Sequence, residues 1–388
     1  MSGILKAFRH ELGRIFALKA IFSTLFVAAL IYAVYYPQPY RNEALRDVPI
    51  AVVDLDGTTA SRELARRLDA SSDVAVAMAL PNLATAEREV FKRTLSGAVV
   101  IPLHFERDLL HGRASPISLY SDASYFLINS RVAGAVNTVA RAFGTEVETA
   151  RLIGLGIDPA VAASATSPMP LVSIPLFNPQ GGYATYVLPG AFTIIMQQTL
   201  LIAVCLLATI AGMPGVAGQS APNVGATSTV LGKLAAYLTV AALLVPFYFI
   251  VLPYFYNIPR LGTLGTMALF ALPFVLSVSA LGMVIGLMLR SPLTVQLTAA
   301  ALGMPLFFLS GFSWPIEAVP PVLRALAQLI PGSMAVTGMT QVVEMGASID
   351  DVRFQFLGLW ALAIGYTLLA ILLEWRRQRR QAARSALA

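Results

Sequence analysis

Charge is scarce in this chain. Only 12% of its 388 residues are Asp, Glu, Lys or Arg, and 57% are hydrophobic, where a soluble domain carries about 25% charged residues. That excludes an all-soluble globule. With mean hydropathy at +0.71, it points to an integral membrane protein with some soluble mass. Cysteine is nearly absent: Cys205 stands alone in an apolar run, which excludes an intrachain disulfide framework. His10, His104 and His111 are scattered among non-ligands, so no metal site is expected. No basic patch is interleaved with aromatics, which argues against nucleic-acid binding. A nucleotide-binding loop is missing too. GATSTVLGKLA (225–235) puts six residues between its glycines, and Leu234 stands where a hydroxyl would hold Mg²⁺; a phosphate-binding loop needs four residues, then Lys and Ser or Thr.

What the chain has in quantity is long charge-free runs. About 20 apolar residues cross a bilayer, and six runs meet that length. They are AIFSTLFVAALIYAVYY after Lys19, YATYVLPGAFTIIMQQTLLIAVCLLATIAGM, LAAYLTVAALLVPFYFIVLPYFY after Lys233, TLGTMALFALPFVLSVSALGMVIGLML, LTVQLTAAALGMPLFFLSGF, and FQFLGLWALAIGYTLLAILL. The fold class read from this is an α-helical integral membrane protein with six transmembrane helices and an inserted extracytoplasmic α/β domain.

Positive charge sets the orientation. Lys6, Arg9, Arg14, Lys19, Lys233, Arg290, Arg376, Arg377, Arg379, Arg380 and Arg384 fall on one side, against Arg260, Arg324 and Arg353 in the short loops of the other. Both termini are expected in the cytoplasm, in a bacterial inner membrane. The first run exits through the bulky VYYPQPY, which reads as a retained helix rather than a cleaved signal. Before it, GILKAFRHELGRIF sets Ile4, Leu5, Phe8, Leu12 and Ile15 on one face, away from Lys6, Arg9 and Arg14, the pattern of a helix lying on the membrane surface. The expected domains are 1–36 (interfacial helix and first span), 37–182 (external domain) and 183–388 (spans two to six with a cytoplasmic tail). Residues 41–182 hold 13 Lys/Arg and 15 Asp/Glu, the mixture of a globular domain. There IAVVD, VAVAMAL, AVVIP and ISLYS read as strands. SRELARRLDAS, TAEREVFKRTLSG (ended by Gly97 as a C′ glycine), FERDLLHG and a long segment from NSRVAG to LIGLG read as helices.

The stretch VVDLDGTTAS (52–61) opens like a haloacid-dehalogenase phosphohydrolase, whose first Asp attacks phosphorus. The late acidic pair that holds Mg²⁺ is missing from the domain; the one Asp-Asp pair, Asp350–Asp351, comes four spans later. The alternative is local: Asp54, Asp56 and Gly57 form a strand-to-helix turn, and Thr58, Thr59 or Ser61 caps the next helix. The chain is read as a non-enzyme without cofactors.

One span, a large external domain and five further spans resemble the type-2 ABC-transporter permeases. VPIAVVDLDGTTASRELARRLDAS resembles the first strand and helix of their external domain, and LSGAVVIPLHFERDLLHGRASPISLYSDAS its next block. FNPQGGYATYVLPG is similar to the entry to their second span. LSGFSWPIEAVPPVLRALAQLIPGSMAVTGM is similar to the segment whose two short helices dip back before the last span. The resemblance implies two permease copies, identical or closely paralogous, and a separate cytoplasmic ABC ATPase; some relatives add a periplasmic adaptor. The loop after span two, 213–233, carries no charge before Lys233, unlike the family's usual coupling helix. The candidate ATPase-coupling residues are Val224, Val230, Lys233, Arg9 and Arg14. Polar residues within spans usually face a bundle interior, so Gln197, Gln198 and Gln296 are candidates for a transport path or a helix interface. Gly282 and Gly286 would allow close helix approach. Few charges within the spans suggest a hydrophobic or amphipathic export cargo. The alternative is a membrane-anchored binding or assembly protein whose external domain recruits partners without transport.

Overall fold

The computed structural model describes residues 3–179, 181–211, 224–289, 291–311, 314 and 316–385. In chain order, α1 (Gly3–Ala17) precedes a helical run built from α2 (Lys19–Phe22), a π-turn (Ser23–Val27) and α3 (Ala28–Tyr35). Then come β1 (Val48–Asp54), α4 (Thr59–Asp69), β2 (Val74–Ala79), α5 (Leu83–Phe91), β3 (Gly97–Ile101), α6 (Phe105–Leu110), β4 (Ser118–Ser121), α7 (Phe126–Gly154) and α8 (Pro159–Thr166). The helices α9 (Tyr183–Ile210), α10 (Ala226–Pro246), α11 (Leu252–Phe255), α12 (Leu264–Met288), α13 (Pro292–Leu309), α14 (Pro321–Ala327), α15 (Pro331–Glu344) and α16 (Arg353–Ser385) complete the chain. Two compact units result: Ala44–Ile174, and Met1–Glu43 together with Pro175–Ala388.

The inserted unit is a four-stranded sheet in the order β2-β1-β3-β4. β1 pairs in parallel with β2 and β3, while β4 runs antiparallel to β3. Alternation along β1 explains the layering. Ile50 and Val52 face Leu64 and Leu68 of α4 and Val132 and Val136 of α7, whereas Ala51 and Val53 face Ala86 of α5. Small residues on that second face let a short helix sit close. Gly97 is corrected by the structure. It opens β3 instead of ending α5, and a Cβ there would lie 2.8 Å from the Tyr120 carbonyl oxygen of β4. The helix ends earlier, at Lys92, with Arg93 in the left-handed region at φ 59°.

The other unit is helical. Among the described residues, five of its helical segments are long and apolar enough to cross a membrane: Lys19–Tyr40, Tyr183–Ile210, Ala226–Phe255, Leu264–Met288 and Arg353–Ala383. The pair α14 and α15, bent by 84°, makes a sixth if counted as one broken span. The fifth expected run forms α13, an 18-residue helix, about 27 Å at 1.5 Å per residue and at the short end for a crossing. Close approach of α9 and α12 organises the bundle. A Cβ on Gly282 would touch Val204 at 3.0 Å, and one on Gly286 would lie 2.5 Å from the Cys205 carbonyl oxygen. Thr209 adds a 2.9 Å hydrogen bond to the Gly286 carbonyl. Tyr36, Tyr40, Tyr183 and Tyr186 cluster with ring centroids 5.4–6.1 Å apart; such amphipathic rings suit a membrane–water interface.

Candidate functional site

Two places in the helical unit collect the candidate residues. The first surrounds the start of α10. Gly225 is its N-cap and Ala226 its first residue, so the expected loop ends sooner than Lys233. Val230 and Lys233 are buried helical residues, and the P-loop-like stretch is simply the first turns of a helix. Residues 213–223 of that expected loop lie outside the described residues. The amphipathic α1 forms as expected, but its buried face is shifted: Ile15 is buried and Phe8 and Leu12 pack partly against the core, as expected, while Ala7, Glu11 and Arg14 are buried with them and Ile4 and Leu5 are exposed. The cause is Gly232. A Cβ there would sit 2.6 Å from both the Ala7 Cβ and the Ile4 carbonyl oxygen, so α1 rests against the backbone of α10.

This contact buries charge. Glu11, fully buried, accepts hydrogen bonds from Arg14 at 2.8 Å and from the Tyr237 hydroxyl at 2.5 Å. Arg14 also donates to the Leu207 carbonyl near the end of α9, at 2.9 Å. Burial alone would push the Glu11 carboxyl up. Lys233, Arg14 and the hydrogen bonds from Tyr237 and Arg14 outweigh it and hold the carboxyl below its ordinary 4.5. On the third side, Gln378 of α16 donates to Glu374 and to the Val224 carbonyl, and Arg377 pairs with Glu374 at 3.0 Å. Thus α1 and α16 both hold the segment that begins α10, and Arg14 ties α1 to the end of α9. Arg9 lies exposed on the outer face of α1. Sequence reasoning picked out Arg14, Lys233 and Val224 but missed Glu11, Tyr237, Glu374 and Gln378. One signal was readable: Glu11 is the sole acid in α1, three residues before Arg14.

The second place is a cavity of about 340 Å³ between α9, α12, α13 and α16, closed by Leu329 and Ile330 at the bend between α14 and α15. Its walls are mostly aliphatic, among them Leu201, Ile202, Leu281, Ile285 and Val295. Gln197 and Gln198, halfway along α9, face it, and neither side-chain oxygen has a hydrogen-bond partner. Tyr366 also lines it, but its hydroxyl donates to the Leu329 carbonyl at 2.6 Å. Gln197 is 2% exposed and packs against Gly332, where a Cβ would come within 2.5 Å of its Oε1. Gln296 is not part of this group; it is exposed on α13, one residue from the lining Val295.

The acidic turn of the inserted unit is closed on itself. Asp54 Oδ1 accepts from the amides of Asp56 and Gly57 at 3.0 and 2.9 Å, and its Oδ2 from the Ser61 hydroxyl at 2.7 Å. Asp56 takes the Thr58 hydroxyl and the Glu106 amide. Thr58 and Ser61 form a reciprocal capping box on α4. These carboxylates are turn-closing groups.

The family model for the ABC-2 family transporter protein matches residues 18–372. The chain belongs to the ABC-2 transporter family. It is a multi-pass membrane protein of that family, with a small mixed sheet inserted between its first and second membrane helices. Over 255 residues it is 24% identical to the protein named probable multidrug ABC transporter permease YbhS of Escherichia coli (strain K12), and the same match is found in strain O157:H7. The alignment spans 65% of this chain and 65% of that relative. A shorter stretch of 79 residues, 20% of each chain, is 27% identical to the linearmycin resistance permease protein LnrN of Bacillus subtilis (strain 168).

Proposed function

We propose that the chain is the membrane permease subunit of an ATP-driven ABC exporter. It works as a pair of copies above a separate ATPase and moves a hydrophobic or amphipathic small molecule out of the cytoplasm or the inner leaflet. The observation that carries this reading is the cavity. A mostly aliphatic chamber half-way through a membrane bundle, lined in part by Gln197 and Gln198, is a place for an apolar guest. The names of the relatives, a multidrug permease and a linearmycin resistance permease, agree with such a cargo. In this reading six spans put both termini in the cytoplasm and the inserted sheet outside, and Gln197 and Gln198 line part of the path. The α1–α10 contact is the coupling element. An ATPase that pushes on α1 or on the connection before α10 moves α9, α10 and α16 together, because Arg14, Tyr237 and Gln378 tie them. Alternation between two discrete packings requires such rigid connections.

The test is co-purification and efflux. The permease should carry an ATPase subunit through affinity purification, and Gly232→Leu, which drives α1 off α10, should abolish both that association and drug efflux at normal membrane levels. Efflux that persists without any ATPase would overturn the assignment; an external domain that captures partners while no substrate moves would favour the anchored binding protein instead. A cytoplasm-only fluorescent reporter inserted near Ser96 should stay dark.

A further inference from the structure

The last helix carries two chemistries on one face. From Phe354 to Leu373, α16 holds no charge, about 30 Å at 1.5 Å per residue and the thickness of a hydrocarbon core. It then runs on without a break through Trp375, Arg376, Arg379 and Arg380. Steps of three, four or seven residues set Leu357, Ile364, Leu368, Leu372, Trp375 and Arg379 along one stripe. Its apolar members are between 41% and 63% exposed, so the chain leaves this face open.

The opposite face turns inward. Glu374, the sole acid of α16, is buried there. Arg377 and Gln378 donate to it, and Gln378 also reaches the Val224 carbonyl. The helix therefore offers no carboxylate to its outer arginines. Arg376, Arg379 and Arg380 are exposed and, among the described residues, form no ion pair. The Arg379 guanidinium lies over the Trp375 ring, 3.8 Å from its centroid. Stacking at that distance holds the guanidinium in place and leaves its in-plane N–H donors free. Those donors match the oxygens of a phosphate.

We propose that this face of α16 binds an anionic phospholipid. An acyl chain lies along Ile364, Leu368 and Leu372, and the phosphate is held by Arg376 and Arg379. Trp375 stands between them, where amphipathic rings settle at the boundary of hydrocarbon and headgroups. Charge selects the lipid class: a net negative headgroup compensates the arginines, whereas a zwitterionic one brings its own cation against them. Other occupants fit less well. A protein reaching the arginines from water leaves the apolar stripe that runs into them unexplained. A second copy packed stripe to stripe about a two-fold axis would set arginines against arginines. Because the inner face of the same turn holds Val224, a bound headgroup also steadies the end of α16 beside α10.

Binding needs neither ATP nor an ATPase, so it is separable from the permease reading. The purified permease is placed in phosphatidylcholine nanodiscs with a trace of phosphatidylglycerol carrying a diazirine on one acyl chain. A parallel sample receives the matching phosphatidylcholine probe, and labelled residues are mapped by mass spectrometry. The phosphatidylglycerol probe should label Leu368–Trp375 saturably, the phosphatidylcholine probe only in proportion to its amount. Arg376→Gln with Arg379→Gln should lower saturable labelling about tenfold. Trp375→Leu keeps both charges and an apolar side chain, and should lower it about threefold. Inorganic phosphate in solution should not compete. Equal labelling by the two probes, labelling indifferent to the double change, or displacement by inorganic phosphate overturns the proposal. So does a double change that abolishes ATPase co-purification while labelling persists, which would make the basic turn a protein-docking surface.

Discussion

The two units of this protein treat buried polar groups differently. Among the described residues, every buried side-chain polar atom without a partner belongs to the helical unit: His10, Gln197, Gln198, Ser279, Gln341, Glu344 and Arg377. The inserted sheet has none. There acids close turns and caps, as Asp54 does for Ser61 and Asp158 for the amides of Ala160 and Val161, or pair with basic side chains, as Glu63 and Glu146 do with Arg67. A small α/β unit beside water gains nothing by leaving a group unpaired. A transport bundle must keep groups that a guest, a partner or a second packing will engage. Unpaired groups in the helical unit are thus pointers to function, and acids in the sheet unit are pointers to folding.

The strongest way to break this comparison is at Glu11. Glu11→Ala removes the counter-charge of a buried pair and leaves Arg14 and Lys233 uncompensated, which should cost about 3–5 kcal/mol and free α1 from α10. Thermal unfolding of the purified permease should show it. The pH dependence has a definite sign. The Glu11 carboxyl is held below 4.5 in the folded chain, so its contribution is complete above that value and is lost as pH falls through the folded pKa. The stability gap between Glu11→Gln and the natural chain should stay constant from pH 8 to about 5 and close only in more acid solution. A gap that closes near neutrality would mean the carboxyl is not ionised in its site.

Gly286→Val should come next. The new side chain meets the Cys205 carbonyl and the Ala208 Cβ, and overpacking of this kind costs about 1–3 kcal/mol. It should widen the α9–α12 contact and so the chamber beside it. Gln197→Met with Gln198→Met should leave stability nearly untouched, because neither side-chain oxygen has a hydrogen-bond partner to lose. If instead the glutamines proved as destabilising to replace as Gly286, they would be packing residues and the contrast between the two units would weaken.

How much of this was legible in sequence follows the same division. The strands, the long α7 and the Asp54 turn were readable because their determinants lie within a few residues. Gly97 was misread because the reason for it, the backbone of β4, lies more than twenty residues on. In the bundle the determinants are farther apart. Arg14 bonds a carbonyl 193 residues away, and Glu11 a hydroxyl 226 residues away. Composition located Gln197 and Gln198 as costly residues within a span. It could not say that they face a chamber while Gln296 lies on the outside of α13, since all three sit in equally apolar runs. The buried face of α1 was hidden too. Hydrophobic spacing pointed to Ile4, Leu5, Phe8, Leu12 and Ile15; the last three do pack inward, but the notch at Gly232 adds Ala7 and Glu11 and leaves Ile4 and Leu5 exposed.

In the inserted unit the effects should be smaller and local. Ser61→Ala deletes the capping box on α4 and should cost about 1 kcal/mol, visible as about fivefold faster amide exchange in the first turn of α4 with efflux unchanged. Loss of efflux at normal membrane levels would show that the sheet reports to the bundle.

The smallest effect is expected at Asp54, the residue that looks most like a nucleophile. In Asp54→Asn the retained oxygen can still accept from the amides of Asp56 and Gly57. The new amide group then faces Ser61, whose hydroxyl must turn its proton elsewhere, and the Thr58 carbonyl lies 3.1 Å away to take it. The substitution should therefore change stability by no more than about 0.5 kcal/mol and leave efflux intact. A phosphoryl-accepting Asp would instead need a free oxygen beside a bound Mg²⁺, whereas both oxygens of Asp54 are engaged and Asp56 is held by Thr58 and Glu106. The permease should accordingly release no nitrophenol from p-nitrophenyl phosphate with Mg²⁺. Turnover that disappears in Asp54→Asn would show that an acid in the sheet unit does chemistry after all, and the contrast between the two units would fail where it is sharpest.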